Sequence, residues 1–160
     1  MMKSYKEPGF LPDINFWLGL SFEKHPFRRA AVNWWKQRGK DSPVFFNRAT
    51  QQGFLRLSSN PAFLKQYGVE ANTNQDALKA LKGFLGAPGV DFKPEPNAID
   101  DLWHKLGGLE VAAPHAWMDA FLAAFAIRAG LQIVTFDTGF KKYEREGLSL
   151  LVLEPETKSA

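Results

Sequence analysis

The sequence predicts an α/β fold built on a mostly parallel sheet. Three observations carry that expectation. Short apolar runs alternate with longer amphipathic stretches along the whole chain. Proline and glycine mark the boundaries and leave only short linkers. In the last third, an apolar helix runs through Gly130 straight into the apolar stretch Leu131 to Phe136. Strands separated by helices pair in parallel, and the helices then cover both faces of the sheet.

The elements follow in order. Phe10 to Ile14 is a short buried strand, and Asn15 to Leu20 starts a helix directly after it. Pro26 to Arg38 has helical spacing, with Ala30, Ala31, Trp34 and Trp35 on one side. Pro43 to Phe46 is a second strand, and Thr50 to Leu57 a helix that ends at Asn60–Pro61. Asn74 to Leu85 is amphipathic, with Ala77, Leu78, Leu81 and Leu85 as its stripe, and Gly86 to Gly89 stops it. Val90 to Phe92 is a brief strand, and Ile99 to Leu106 a helix closed by Gly107–Gly108. Pro114 to Arg128 is a strongly apolar helix, Leu131 to Phe136 a buried strand, and Leu148 to Leu153 the final strand. Nothing in the composition divides the chain, so one domain over 1–160 is expected, with its core roughly over 9–155.

Composition excludes several functions. The 160 residues are 45% hydrophobic, enough to bury a core. There are no cysteines, which removes disulfides, zinc–thiolate sites and thiol catalysis, and suits a cytoplasmic protein. No apolar run is long enough to span a membrane, and the N-terminal segment lacks the apolar stretch of a secretory signal. His25, His104 and His115 are too scattered for a zinc motif. Net charge is only +3, but it is uneven. Between Glu23 and Arg56 stand eight basic residues, Lys24, Arg28, Arg29, Lys36, Arg38, Lys40, Arg48 and Arg56, against two acids. Such a stretch attracts phosphates, or it is simply a solvated face.

Three aspartates carry the chemistry. Asp13 closes the first strand, where it can also serve as a helix cap. Asp119 lies within an apolar helix, with Ala116 and Ala123 as its small neighbours. An ionised carboxylate buried there needs a cation or a salt bridge to a distant Arg or Lys. Asp137 follows the strand Leu131 to Phe136, at the carboxyl end where open α/β sheets bind ligands, or else serves as a turn residue. Taken together, three converging carboxylates repel one another unless a hard cation such as Mg²⁺ or Mn²⁺ sits between them.

Four segments bear a resemblance. They are Leu-Pro-Asp-Ile-Asn-Phe-Trp-Leu at 11–18, Arg-Ala-Thr-Gln-Gln-Gly-Phe-Leu-Arg-Leu-Ser-Ser-Asn-Pro at 48–61, Asp-Ala-Phe-Leu-Ala-Ala-Phe-Ala at 119–126 and Ile-Val-Thr-Phe-Asp-Thr-Gly-Phe at 133–140. In order and spacing the sequence resembles the PIN-domain ribonucleases, specifically the VapC-type toxins of bacterial toxin–antitoxin pairs. The resemblance implies a three-layer α/β/α sandwich with a sheet of four or five strands. It implies Mg²⁺- (or Mn²⁺-) dependent hydrolysis of RNA, often transfer RNA, by a chain that pairs with an antitoxin and forms a homodimer. By position, Asp13, Asp119 and Asp137 match three acids of the family's quartet. The fourth place holds Gln51 (or Gln52, one residue of register away), a neutral amide that removes one charge. Asn15 and Thr135 are expected to hydrogen-bond the carboxylates, and Arg48 and Arg56 to touch RNA phosphates. Two rivals differ in function: a PIN nuclease of RNA processing without an antitoxin, and an inactive PIN-like binding module.

Overall fold

The computed structural model describes residues 8–39 and 41–155. Lys40 of the basic stretch and residues 1–7 of the N-terminal segment lie outside the described residues. Five strands form one sheet: β1 (Phe10–Pro12), β2 (Val44–Phe46), β3 (Val90–Phe92), β4 (Gln132–Thr135) and β5 (Ser149–Val152). Their order is β3-β2-β1-β4-β5, and every pairing is parallel. The chain therefore builds outward from β1 in one direction, then returns to β1's other edge with β4. That reversal makes the β1/β4 junction a topological switch point, the place where open α/β sheets bind ligands beyond the strand ends.

Seven α-helices cover the sheet: α1 (Ile14–Ser21), α2 (Arg28–Gln37), α3 (Arg48–Ser58), α4 (Pro61–Leu64), α5 (Asn74–Leu85), α6 (Ile99–Gly107) and α7 (Ala116–Ala129). Side chains alternate across a strand, so each strand feeds both faces. Val44, Phe46 and Val134 pack beneath α1, α2, α3 and α5 with Phe16, Trp17, Phe54 and Leu81. Leu11, Phe45 and Ile133 pack against α6 and α7 with Leu102, Leu106 and Phe125. The result is the three-layer sandwich that the alternation of elements implied.

Local sequence explains where elements start and stop. α5 opens on a capping box between Thr73 and Asp76, and its bounds match the expected ones. α7 ends on Gly130 at φ 67°, a left-handed position that glycine takes without steric cost. β1 stops at Pro12, short of the expected Ile14, because Asp13 turns the chain and caps α1. α3 starts at Arg48, ahead of Thr50, because Asn47 and Thr50 form a capping box. It ends at Ser58, one residue past the expected Leu57, and Asn60 with Pro61 opens the extra turn α4 rather than closing α3. A 3₁₀ segment, Thr138–Glu146, was not anticipated. Its apolar Phe140 and Tyr143 are buried, but they stand among five charged residues that read as a turn.

α7 departs most from expectation. It begins at Ala116, so Asp119 lies in its first turn instead of its middle. Trp117 and Met118 are 45% and 46% exposed, and the helix is deeply buried only from Ala120 onward. The apolar face of α1 is anchored by Trp17, which is fully buried and stacks on Phe46 at 4.0 Å.

Gly53 has a specific reason to be glycine. A Cβ there would stand 2.0 Å from Cδ1 of Ile14, so its absence lets α3 close onto the first residue of α1. Overpacking of this kind costs about 1–3 kcal/mol, against a helix-propensity gain of about 0.5–1 kcal/mol. Gly53→Ala is expected to lower stability in chemical denaturation. In an Ile14→Ala background the same change should become neutral or stabilising. Equal losses in both backgrounds would show that the α1/α3 contact is not what excludes a side chain.

Candidate active site

The parallel register of β1 on β4 sets Leu11 beside Ile133 and Pro12 beside Val134. The backbone N–H of Asp13 extends the ladder by donating to the Val134 carbonyl at 2.9 Å. Asp13 then departs from the sheet as the N-cap of α1. Its Oδ1 accepts from the Ile14 N–H at 2.7 Å, and its Oδ2 accepts from the Thr135 hydroxyl at 3.2 Å. The cap and the candidate ligand are thus one residue, held by two hydrogen bonds.

Thr135 is the hub. It is fully buried at the end of β4. While donating to Asp13, its hydroxyl accepts from the Asp137 N–H at 3.0 Å and from Asn15 Nδ2 at 3.4 Å. One oxygen therefore ties together the ends of β1 and β4, the start of α1 and the turn after β4. Asp137 is exposed, and its Oδ1 accepts from the Gly139 N–H at 2.8 Å, capping the 3₁₀ segment. Asp119 approaches from α7. It is partly buried, and among the described residues no Lys or Arg closes an ion pair on it.

The electrostatics confirm that the three carboxylates share one region. Burial pushes the Asp13 carboxyl up to about 6, and the charges of Asp119 and Asp137 add to the effect. The Ile14 N–H and the Thr135 hydroxyl oppose it by stabilising the anion. Asp119 is raised as well, by burial and then by Asp137, while Lys142 and His115 pull the other way. The Tyr143 phenol is raised by burial and by the charge of Asp119. Among the described residues, no three His, Asp or Glu side chains are already drawn to metal-holding distance around one point. The donor set is nonetheless all hard oxygen with unbalanced negative charge, and that suits a divalent cation.

The other expected residues are distributed differently. Gln51 is buried, and its Oε1 accepts from Arg48 Nη1 at 2.6 Å. The Arg48 guanidinium lies 4.8 Å from the centre of the Phe92 ring. Arg56 sits roughly two turns further along α3, where it lines a groove with Leu55, Ser59 and Ala77. Much of the basic stretch is spent on backbone: Arg28 donates to the Leu20 carbonyl, and Arg38 to the Trp35 and Pro88 carbonyls. His25 is buried against Tyr67 and Phe136, and burial lowers its pKa. His115 occupies the N-cap position of α7, near Asp119.

A family model for the PIN domain matches residues 10–146, from β1 to the end of the 3₁₀ segment. The chain belongs to the PIN-domain family. Ribonuclease VapC41 of Mycobacterium tuberculosis is 37% identical over 142 residues, covering 88% of this chain and 97% of that protein. Ribonuclease VapC33 of the same organism is 28% identical over 144 residues, covering 83% and 91%. Among solved structures, VapBC2 from Rickettsia felis bound to a promoter DNA fragment aligns with a TM-score of 0.60 at 16% identity. That alignment covers 91% of this chain and 98% of that one. VapC20 of Mycobacterium tuberculosis, a toxin that cleaves the sarcin–ricin loop, aligns with a TM-score of 0.61 at 13% identity, covering 84% and 94%. At these identities the solved structures speak to the fold alone, and they share the PIN architecture.

Within this PIN domain, sequence reasoning missed Lys142 and Tyr143, which border Asp119. The helical spacing of Phe140 and Tyr143 was the available signal.

The raised Asp13 pKa has a consequence for stability. The native carboxyl is pushed up to about 6 from its ordinary value of 3.8, so the native state binds the proton more tightly. Metal-free protein should therefore lose stability as pH rises from about 4 to about 6, then level off. Two pH units correspond to on the order of 3 kcal/mol at most. Asp13→Asn should remove most of that fall, and the variant should melt higher than the parent at pH 7.5 in EDTA. A parallel pH profile for both proteins by thermal melting would contradict the assignment.

Proposed function

We propose that this PIN domain is a VapC-type endoribonuclease, the toxin of a toxin–antitoxin pair. It hydrolyses RNA phosphodiesters in the cytoplasm with Mg²⁺ or Mn²⁺ held by Asp13, Asp119 and Asp137. The observation that carries the reading is that Asp13 and Asp137 stand just past the ends of the paired strands β1 and β4, with Asp119 near enough for its charge to act on Asp13. It is supported by 37% identity to a ribonuclease over most of the chain.

A bound divalent ion lowers the pKa of a coordinated water and offsets phosphate charge during hydrolysis. The side chains divide the remaining work. Asp13 is the fixed ligand, since the Ile14 N–H and Thr135 hydroxyl each hold one of its oxygens. Thr135 and Asn15 keep that carboxylate aimed, as supporting residues do in metal sites. Asp137 presents its carboxylate from the exposed edge, anchored through Gly139. Asp119 is the adaptable member, with no hydrogen bond among the causes that set its pKa. Gln51 stands where the family carries a fourth acid. Its oxygen is held by Arg48, so it positions that guanidinium and is not itself a cation ligand. Arg48, exposed at the start of α3, then meets the RNA backbone, and Arg56 extends the contact along the same helix.

The partner reading rests on exposed apolar side chains at the entrance to α7. Val111 is 71% exposed, and Leu109, Trp117 and Met118 stand nearby in sequence with nearly half their surface free. Antitoxin binding and homodimer formation would both cover such groups. No helix among the described residues is long and apolar enough to cross a membrane.

Partner-free protein is expected to cleave RNA, transfer RNA included, in Mn²⁺ or Mg²⁺ and to stop on addition of EDTA. Undiminished cleavage in EDTA would sink the metal mechanism. Asp13→Asn, Asp119→Asn and Asp137→Asn should each lose roughly a hundredfold or more in rate, and the triple variant little more than one of them. A single variant that keeps parental cleavage removes its residue from the site. Co-expression with the product of an adjacent small gene should yield a stable, inactive complex. A protein that stays monomeric, harmless and partnerless in its host would favour an RNA-processing role.

A further inference from the structure

α6 and the 3₁₀ segment Thr138–Glu146 meet on the α7 face of the sheet. Between them lies a cavity of about 130 Å³, walled by Lys105, Lys142, Tyr143, Arg145 and Glu146 with two leucines. Three cations thus face one acid. Lys105 pairs with Glu146 at 3.2 Å. Lys142 and Arg145 have no carboxylate within ion-pair distance among the described residues. Four of the six other arginines are already engaged: Arg28, Arg38 and Arg128 donate to backbone carbonyls, and Arg48 to Gln51.

The cavity wall also holds an unsatisfied donor. Tyr143 lines the cavity with its ring, while its hydroxyl is closed to solvent and has no hydrogen-bond partner among the described residues. Buried hydroxyls are nearly always bonded, so a small shift of the wall that opens this one would give it a partner in the cavity. The segment that walls the cavity begins directly after Asp137 and packs on α7, which carries Asp119. The charge of Lys142 is also felt by Asp119. Lys142 Nζ lies 5.2 Å from the centre of the Tyr143 ring, which places the charge over the same wall.

We propose that this cavity is a phosphate subsite, in which Lys142 and Arg145, backed by Lys105 and Tyr143, hold an RNA backbone phosphodiester next to the one being cut. Positive charge without a protein partner selects an anion. A cavity of this size accommodates a phosphate, and its buried tyrosine offers no open ring for a base to stack on. Arg48 follows β2 and the 3₁₀ segment follows β4, on opposite sides of β1 in the sheet, so the RNA backbone would be held on both sides of the cut. This inference rests on the ribonuclease reading for its ligand.

The test is binding of a labelled single-stranded RNA in EDTA, followed by fluorescence anisotropy over a range of salt, alongside cleavage kinetics in Mn²⁺. The double variant Lys142→Gln/Arg145→Gln should bind roughly tenfold more weakly, with a log–log salt slope shallower by about 1.4. In cleavage, KM should rise, as expected for lost ground-state binding of the neighbouring phosphodiester. Lys142→Arg/Arg145→Lys should retain binding. Tyr143→Phe should weaken it modestly. Inorganic phosphate should compete with RNA on the parent protein beyond a chloride control of equal ionic strength, but not on the double variant. Unchanged affinity and slope in a double variant with parental circular dichroism would overturn the subsite. A fall in kcat with unchanged KM would also overturn it, assigning Lys142 to Asp119 instead. If the parent binds RNA yet never cleaves it, the ribonuclease reading fails while the binding data still judge the subsite.

Discussion

The parallel pairing of β1 with β4 is the constraint on which the rest depends. These strands are 119 or more residues apart in sequence, yet their register brings Asp13 level with Thr135. From there a single buried hydroxyl does the joining. Thr135 touches Asp13, Asn15 and the Asp137 backbone, so a slip of one residue in either strand would turn it to the other face of the sheet. The apolar neighbours enforce the register. Val134 faces one core and Ile133 the other, and neither can be shifted without exposing both.

The same junction concentrates negative charge, and the fold accepts that cost. Two of the three aspartates are also structural caps: Asp13 opens α1, and Asp137 opens the 3₁₀ segment. The capping hydrogen bonds offset part of the desolvation that burial imposes. Asp119 receives no such compensation, and Lys142 and His115 relieve it only through their nearby charge. Sites of catalysis commonly hold groups whose pKa values are pushed away from their ordinary range, because burial and like charge are what make them reactive toward a cation or a proton. Here burial is the larger cause for both Asp13 and Asp119.

The two sides of the sheet contribute unequally. The α1, α2, α3 and α5 side is a rigid aromatic core, with Trp17 stacked on Phe46 and Phe16 edge-on to Trp34. It fixes Asp13 and Asn15 through α1. The α6 and α7 side is richer in alanine, leucine and isoleucine, with Phe45, Phe125, Phe140 and Tyr143 among them, and its outer rim carries the exposed Trp117 and Met118. Asp119 enters from this second side at the first turn of a helix, where the surroundings are open. Asp13 is fixed by two hydrogen bonds, whereas Asp119 on the opposite layer has none among the described residues, so the two carboxylates differ in freedom.

Much of this was legible in the sequence because it depends on local signals. The α/β class follows from the alternation of apolar runs with amphipathic ones, and the bounds of α5 and β3 follow from a capping box and from glycine stops. Asp13 and Asp137 stood out since strand ends are recognisable from apolar runs. Their dual role as caps was also visible, though sequence presented cap and ligand as alternatives and the structure shows a single carboxylate doing what a cap does beside its fellow acids. The rest needed the fold. The place of Asp119 in a first turn depends on where α7 begins, and helix starts without a side-chain cap leave no local mark. The commitment of Arg28 and Arg38 to carbonyls, and of Gln51 to Arg48, is decided by which backbone passes nearby. Lys105 and Lys142 meet only because α6 and the 3₁₀ segment pack together across 37 residues of chain. Sequence by itself determined most of the elements and the family pattern, and it singled out the three candidate carboxylates, since each is written in short-range spacing. Only the tertiary structure decided which charges face one another, because that is set by strand register and helix packing between distant segments.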